Sequence, residues 1–176
     1  MRLTTRRVAQ LAVMVAMLVI GAYVSIPLQP IPVTFQTVFV VLTPLLFGST
    51  AYVAVLSYLL LGLAGLPVFA GGTSGLAAFT GPTGGFLAGF LLTSVVVGFV
   101  AERWRSDRFL RDLLLAEGSL AILYVPGILW MRHVLVLRGA TETALAALVP
   151  VLGLDILKML MVAFLARPLR EALQSS

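Results

Sequence analysis

Asp155 and Lys158 have the strongest claim to chemistry in this chain. They stand in Val151–Ala166, an otherwise apolar stretch. A spacing of i, i+3 puts both on one face of a helix. A charge near the centre of a bilayer is costly, so such residues face an interior cavity and pair with one another. A carboxylate and an ammonium offer a ligand one acceptor and one donor. The competing reading is a structural ion pair, with Lys158 snorkelling toward the helix end. Their place inside the apolar run, not at its boundary, favours the ligand.

A glycine-rich stretch is the second candidate. It runs from Leu66-Pro67-Val68-Phe69-Ala70-Gly71-Gly72-Thr73-Ser74-Gly75 to Gly81-Pro82-Thr83-Gly84-Gly85-Phe86. Glycine lets a backbone turn tightly and approach a ligand closely. No Gly-Lys-Ser/Thr follows and no strand precedes, so this is not a phosphate-binding P-loop. A loop over a small-molecule pocket competes with a flexible connector. The apolar Leu76, Ala77, Ala78 and Phe79 between the glycines favour a packed loop.

Pro27–Gln36 is held extended by its prolines. It brings Thr34 and Gln36, two uncharged hydrogen-bonding groups, to the mouth of the next apolar run, although Thr34 also suits a helix N-cap. Tyr124, Trp130 and His133 share a later run. Trp130 fits an interfacial aromatic belt as well as stacking on a ligand ring. His133 reads as an interface residue and Glu117 as a helix-end or ion-pair residue. Ala12-x-x-x-Ala16 is a small-xxx-small pattern that permits close helix packing. From the motif alone, an internal contact in an alanine-rich helix is the simpler explanation.

The elements that position these groups follow from composition. Only 11% of the 176 residues are charged and the mean hydropathy is +1.09. Residues 8 to 101 contain no Asp, Glu, Lys or Arg, where a soluble domain would carry roughly two dozen. A soluble globular domain, a disordered chain and a nucleic-acid-binding module are excluded. An all-α polytopic membrane protein remains. The net charge of +5 belongs to basic residues at the ends of apolar runs. With no cysteine and one histidine, neither a disulfide framework nor a multi-histidine metal site can form.

Six transmembrane helices in a single domain, residues 1–176, are expected. They are Val8–Ile26, about Phe35–Phe47, Thr50–Leu66, Gly85–Ala101, Leu113–Met131 and Thr143–Ala166. The loop Pro67–Gly84 lies between the third and fourth. Glu102–Asp112 and Arg132–Glu142 read as polar connectors, and Arg167–Ser176 as a tail. Val8–Ile26 ends without an Ala-x-Ala-like site and reads as a retained helix, not a cleaved signal. The second helix is short, about 20 Å. It must be tilted and covered by neighbours, or extended by Pro32–Thr34.

Six passes put Arg2, Arg6, Arg7, Arg103, Arg105, Arg108, Arg111, Arg167 and Arg170 on one side, and only Arg132 and Arg138 on the other. This asymmetry predicts a multi-pass protein of the cytoplasmic (inner) membrane with both termini cytoplasmic. Neither a nucleophile–base arrangement nor a nucleotide motif is visible. A channel would need polar rings, and the chain is too short for the two long repeats of most secondary transporters. One site for a mostly apolar small molecule fits.

At these same residues the sequence resembles the BioY family of biotin-uptake proteins, the substrate-binding (S) components of energy-coupling factor (ECF) transporters. The resemblance rests on Pro30-Ile-Pro-Val-Thr-Phe-Gln-Thr37, Leu61-Gly-Leu-Ala-Gly-Leu-Pro-Val-Phe-Ala-Gly-Gly72, Gly81-Pro-Thr-Gly-Gly-Phe-Leu-Ala-Gly-Phe90 and Asp155-x-x-Lys158. It runs nearly end to end. Phe86 departs from the pattern, because the family commonly has tyrosine there. The resemblance implies biotin as ligand, bound from outside, with no cofactor and no enzymatic activity. It implies a transmembrane coupling (T) component and a pair of ABC-type ATPases as partners, with docking through Ala12 and Ala16. It also implies that the whole S component topples in the membrane to release its ligand.

Asp155 and Lys158 match the family's acidic and lysine positions as biotin contacts. Gln36, Phe69, Gly72, Thr73, Gly84, Phe86 and Trp130 complete the expected ligand-binding set. An S component for another vitamin, or a small intramembrane enzyme using Asp155 and Lys158, is the alternative.

Overall fold

The computed structural model describes residues 4–28, 31–104, 106, 108–137 and 148–175. Helix α1 spans Thr5–Tyr23, and the Thr4 hydroxyl caps it by accepting from the Arg7 N–H at 3.3 Å. Two short antiparallel strands follow, β1 (Ser25–Ile26) and β2 (Val33–Thr34), with Ser25 opposite Thr34. Then come α2 (Gln36–Phe47), a 3-10 turn (Gly48–Thr50) and α3 (Ala51–Leu63). A short α4 (Gly75–Thr80) lies inside the glycine-rich loop. The long helices α5 (Gly84–Arg103), α6 (Phe109–Leu137) and α7 (Leu148–Ser175) complete the fold.

Five helical stretches are long and apolar enough to cross a membrane, one of them Gln36–Leu63. That stretch is folded at Gly48 into α2 and α3. Gln36 at the start of α2 donates to the Tyr58 hydroxyl near the end of α3, so the two run antiparallel. The result is an all-α fold of six membrane helices, as composition predicts.

Helix α2 rises only about 18 Å and is covered on every side by α1, α3, α5, α6 and α7. Val38, Val40, Val41, Leu42 and Leu45 are buried. Burial in protein is what allows so short a helix at membrane depth. Helices α5 and α6 approach closely because Gly85 and Gly89 have no Cβ. A Cβ there would overlap the backbone at Pro126 and Leu123.

Several boundaries differ from the sequence expectation. Helix α1 begins at Thr5 instead of Val8 and ends at Tyr23, because Ser25 and Ile26 pair as a strand. Helix α6 begins at Phe109 instead of Leu113, so Arg111 and Asp112 lie within it, both buried. Helix α7 continues through Arg167 to Ser175. A charge interrupts hydropathy but does not end a helix when a partner satisfies it. The predicted start of the sixth span, residues 143–147, and the end of the second connector, residues 138–142, lie outside the described residues. So do Arg2, Arg105 and Pro30.

Arg6, Arg7, Arg111 and Arg170 gather at one end of the bundle. Arg7 donates to the Phe47 carbonyl at 2.7 Å, Arg111 to those of Ala101 and Trp104 at 2.5 and 3.0 Å, and Arg6 to that of Leu173 at 2.5 Å. These guanidiniums satisfy carbonyls that helix ends leave without intrahelical partners. Asp112 accepts from Arg111 at 2.5 Å and from Arg170 at 3.0 Å. Arg132 sits at the opposite end of α6.

Candidate functional site

A cavity of about 220 Å³ lies at the end away from the basic cluster. The hairpin contributes Ile31, Pro32 and Thr34, and the first turn of α2 contributes Gln36 and Thr37. Phe69, Ala70, Thr73 and Thr83 come from the glycine-rich loop. Phe86, Leu87 and Phe90 (α5), Leu123 and Tyr124 (α6), and Val151 and Asp155 (α7) close it.

Asp155 is 2% exposed. Its Oδ1 accepts from Lys158 Nζ at 2.6 Å and from Thr37 Oγ1 at 3.1 Å. Its Oδ2 accepts from the Tyr124 hydroxyl at 2.9 Å. Lys158 also donates to the Thr34 carbonyl at 2.7 Å. The predicted ion pair is therefore made, and it ties α7 to α2, α6 and β2. A buried pair keeps its charge only with such added hydrogen bonds. On the other side, the Tyr58 hydroxyl accepts from Gln36 and donates to the Val68 carbonyl at 3.0 Å.

The walls are aromatic. Phe69 stands edge-to-face with Tyr58 (5.3 Å between centroids) and with Phe79 (5.6 Å). Phe86 meets Tyr124 edge-on at 5.5 Å. Phe69 points inward because the loop turns back on itself: its N–H donates to the Thr73 carbonyl at 3.2 Å and its carbonyl accepts from Gly72 N–H at 3.0 Å. Gly71 and Gly72 have φ of +68° and +71°, a region that favours glycine. The Phe69 ring lies where a Cβ on Gly62 would be.

Two bonds hold the loop from outside. Tyr23 donates to the Pro67 carbonyl at 2.5 Å, and the Trp130 indole donates to the Gly81 carbonyl at 2.9 Å.

Of the expected ligand set, Asp155, Gln36, Phe69, Thr73 and Phe86 line the cavity. Lys158 stands behind Asp155. Gly72 forms the turn beside Thr73. Gly84 is buried at the start of α5, against the Phe79 carbonyl and the Trp130 indole. Trp130 is partly exposed and latches the loop. Ala12 and Ala16 are exposed on α1 and do not line the cavity.

The expected ligand set omits Thr34, Thr37, Thr83 and Tyr124 among the polar lining, and Ile31, Pro32, Ala70, Leu87, Phe90, Leu123 and Val151 among the apolar lining, although Thr34 and Tyr124 stand out in the sequence. Thr37 adjoins Gln36, and Tyr124 is a hydroxyl within an apolar run, so both carried a signal. The aliphatic residues look like any other membrane residue.

The profile of the BioY family matches residues 1–175. The biotin transporter BioY of Thermotoga maritima is 36% identical over 168 residues, covering 94% of this chain and 96% of that protein. The probable biotin transporter BioY of Pyrococcus horikoshii is 29% identical, covering 87% and 89%. A crystallised S-component for biotin from an ECF-type ABC transporter superposes with a TM-score of 0.82 at 23% identity, over 97% of this chain and 95% of the other. It shares the fold. With the profile matched along nearly its whole length, the chain belongs to the BioY family.

Proposed function

We propose that this chain is the biotin-binding component of an ECF-type transporter and holds its ligand in the cavity at Asp155. The observation that carries this is an apolar cavity with one buried carboxylate in its wall, in a chain related end to end to biotin transporters. Biotin has a ureido ring with two N–H donors and a carbonyl acceptor, an apolar thioether ring and a chain ending in carboxylate. A carboxylate accepts from a ureido N–H, and such a charge-assisted bond is stronger than a neutral one. Lys158 stands behind that carboxylate as its counter-ion. Gln36 and Thr73 add polar contacts, and Phe69 and Phe86 enclose the apolar ring. Gly72, Gly84 and Trp130 shape and latch the loop.

The chain is one membrane domain, residues 1–176, and works as a transport component, not an enzyme. Its basic end faces the cytoplasm, with both termini there, and the cavity opens outside. The energy comes from partners. The exposed Ala12 and Ala16 meet a transmembrane coupling protein driven by ABC-type ATPases.

Isothermal titration of detergent-purified protein with biotin, thiamin and riboflavin tests the reading. Tight binding of biotin alone is expected. Binding of thiamin or riboflavin in its place would make this an S component for another vitamin. No binding by a folded sample would overturn the site.

A further inference from the structure

Two further cavities adjoin at Leu46 and Phe47, which line both. One, about 470 Å³, lies at the basic end against Arg7, Arg111, Arg170 and Glu102. The other, about 430 Å³, opens between α1, α2 and α7, and its lining is apolar except for Gln10. This groove follows α2 from Phe39 to Phe47 and α7 from Leu165 to Leu173. Eight helical steps are about 12 Å, most of one leaflet of a hydrocarbon core about 30 Å thick.

A basic pocket over a leaflet-deep apolar groove is the negative image of one kind of molecule. We infer that the pair of cavities binds an anionic phospholipid of the leaflet at the basic end, with an acyl chain in the groove and its phosphate at Arg7 and Arg170. The charged lining supports this. Among the described residues the pocket is lined by three guanidiniums, Arg7, Arg111 and Arg170, and one carboxylate, Glu102, and Asp112 is bound between Arg111 at 2.5 Å and Arg170 at 3.0 Å. Arg7 stands at the junction of the two cavities. Its guanidinium lies 4.5 Å from the centroid of the Phe47 ring and donates to the Phe47 carbonyl at 2.7 Å. Arg6 donates to the carbonyl of Leu173, a groove residue.

The groove also differs from the proposed protein-docking face. On α1 it uses Gln10, Val13, Met14 and Met17. At 3.6 residues per turn, that stripe lies roughly a third of a turn from Ala12 and Ala16.

Native mass spectrometry of the full chain in detergent tests the inference, with phosphatidylglycerol and phosphatidylcholine of identical acyl chains as probes. Phosphatidylglycerol should be retained at least about fivefold over phosphatidylcholine, the scale of one basic residue near a lipid surface. Arg7→Gln and Arg170→Gln should each erase most of that preference. Leu169→Trp fills the groove and should lower retention of both lipids while leaving the basic pocket intact. The helical circular dichroism signal checks that each variant is folded. Equal retention of the two lipids by the native chain overturns the inference. Unchanged retention in a folded Leu169→Trp does so too. Displacement of lipid by millimolar inorganic phosphate alone would make the pocket a free-anion site. Failed assembly of Leu169→Trp with the coupling protein, with no lipid preference in the native chain, would make the groove a protein interface.

Discussion

Asp155→Asn removes one charge and almost no volume. Three hydrogen bonds enter the native carboxylate, two at Oδ1 and one at Oδ2. The asparagine carbonyl can keep Lys158 and Thr37. Its NH2 would face the Tyr124 hydroxyl, which can turn its proton away and accept. The protein network therefore survives in outline. What disappears is the charge on the acceptor and the counter-ion of Lys158, an ammonium whose side chain is 10% exposed and still bonded to the Thr34 carbonyl at 2.7 Å. The stability cost should be about 1–3 kcal/mol, below the 3–5 kcal/mol seen when a buried pair loses one partner outright.

Binding should suffer separately. A ligand N–H that met a carboxylate now competes for an amide, at a loss of about 1–3 kcal/mol, or roughly 5- to 150-fold in Kd. Isothermal titration of biotin into detergent-purified variant and native protein measures this directly. A folded Asp155→Asn with an unchanged Kd would refute the assignment of this carboxylate to the ligand.

Lys158→Ala leaves Asp155 with two hydroxyl donors and no cation, and should weaken biotin binding by about 1–3 kcal/mol; unaltered titration would make the ion pair purely structural. Gly62→Ala drives a methyl group into the Phe69 ring and should displace that ring from the cavity wall. The overpacking costs about 1–3 kcal/mol in thermal or denaturant unfolding, together with a loss of biotin affinity, and native-like stability would show that Phe69 is not held by this contact. Ala12→Trp should leave biotin affinity intact while blocking assembly with the coupling protein, and normal complex formation by size-exclusion chromatography would sink that docking face.

Much of the fold was legible because a membrane constrains a sequence simply. Apolar runs near the length of a bilayer, punctuated by Pro27, Gly48 and the arginines, gave six helices and their order. The helix ends were less legible. Arg111 and Asp112 read as a connector but lie buried in the first turns of α6, because their partners Ala101, Trp104 and Arg170 come from other helices. Helix α2 looked too short to cross, and only its neighbours explain how it can.

The candidate site divides the same way. Asp155 and Lys158 stand out because charge in an apolar run has few innocent explanations, and Phe69, Thr73 and Phe86, which line the cavity, come with their glycines. Trp130 carries the same aromatic signal, and its indole also holds the loop at Gly81.

The class of protein, the number of membrane helices, the uneven distribution of charge and the acid–base pair at depth can all be read along the chain. Each of these depends on composition or local spacing, where hydration free energy and helical period act residue by residue. Helix packing is what brings Thr37 and Tyr124, 118 and 31 positions from Asp155, to its two oxygens. It also sets Lys158 behind the cavity wall. Which donors reach one buried carboxylate depends on how three separate helices, α2, α6 and α7, pack, and no local pattern encodes that packing.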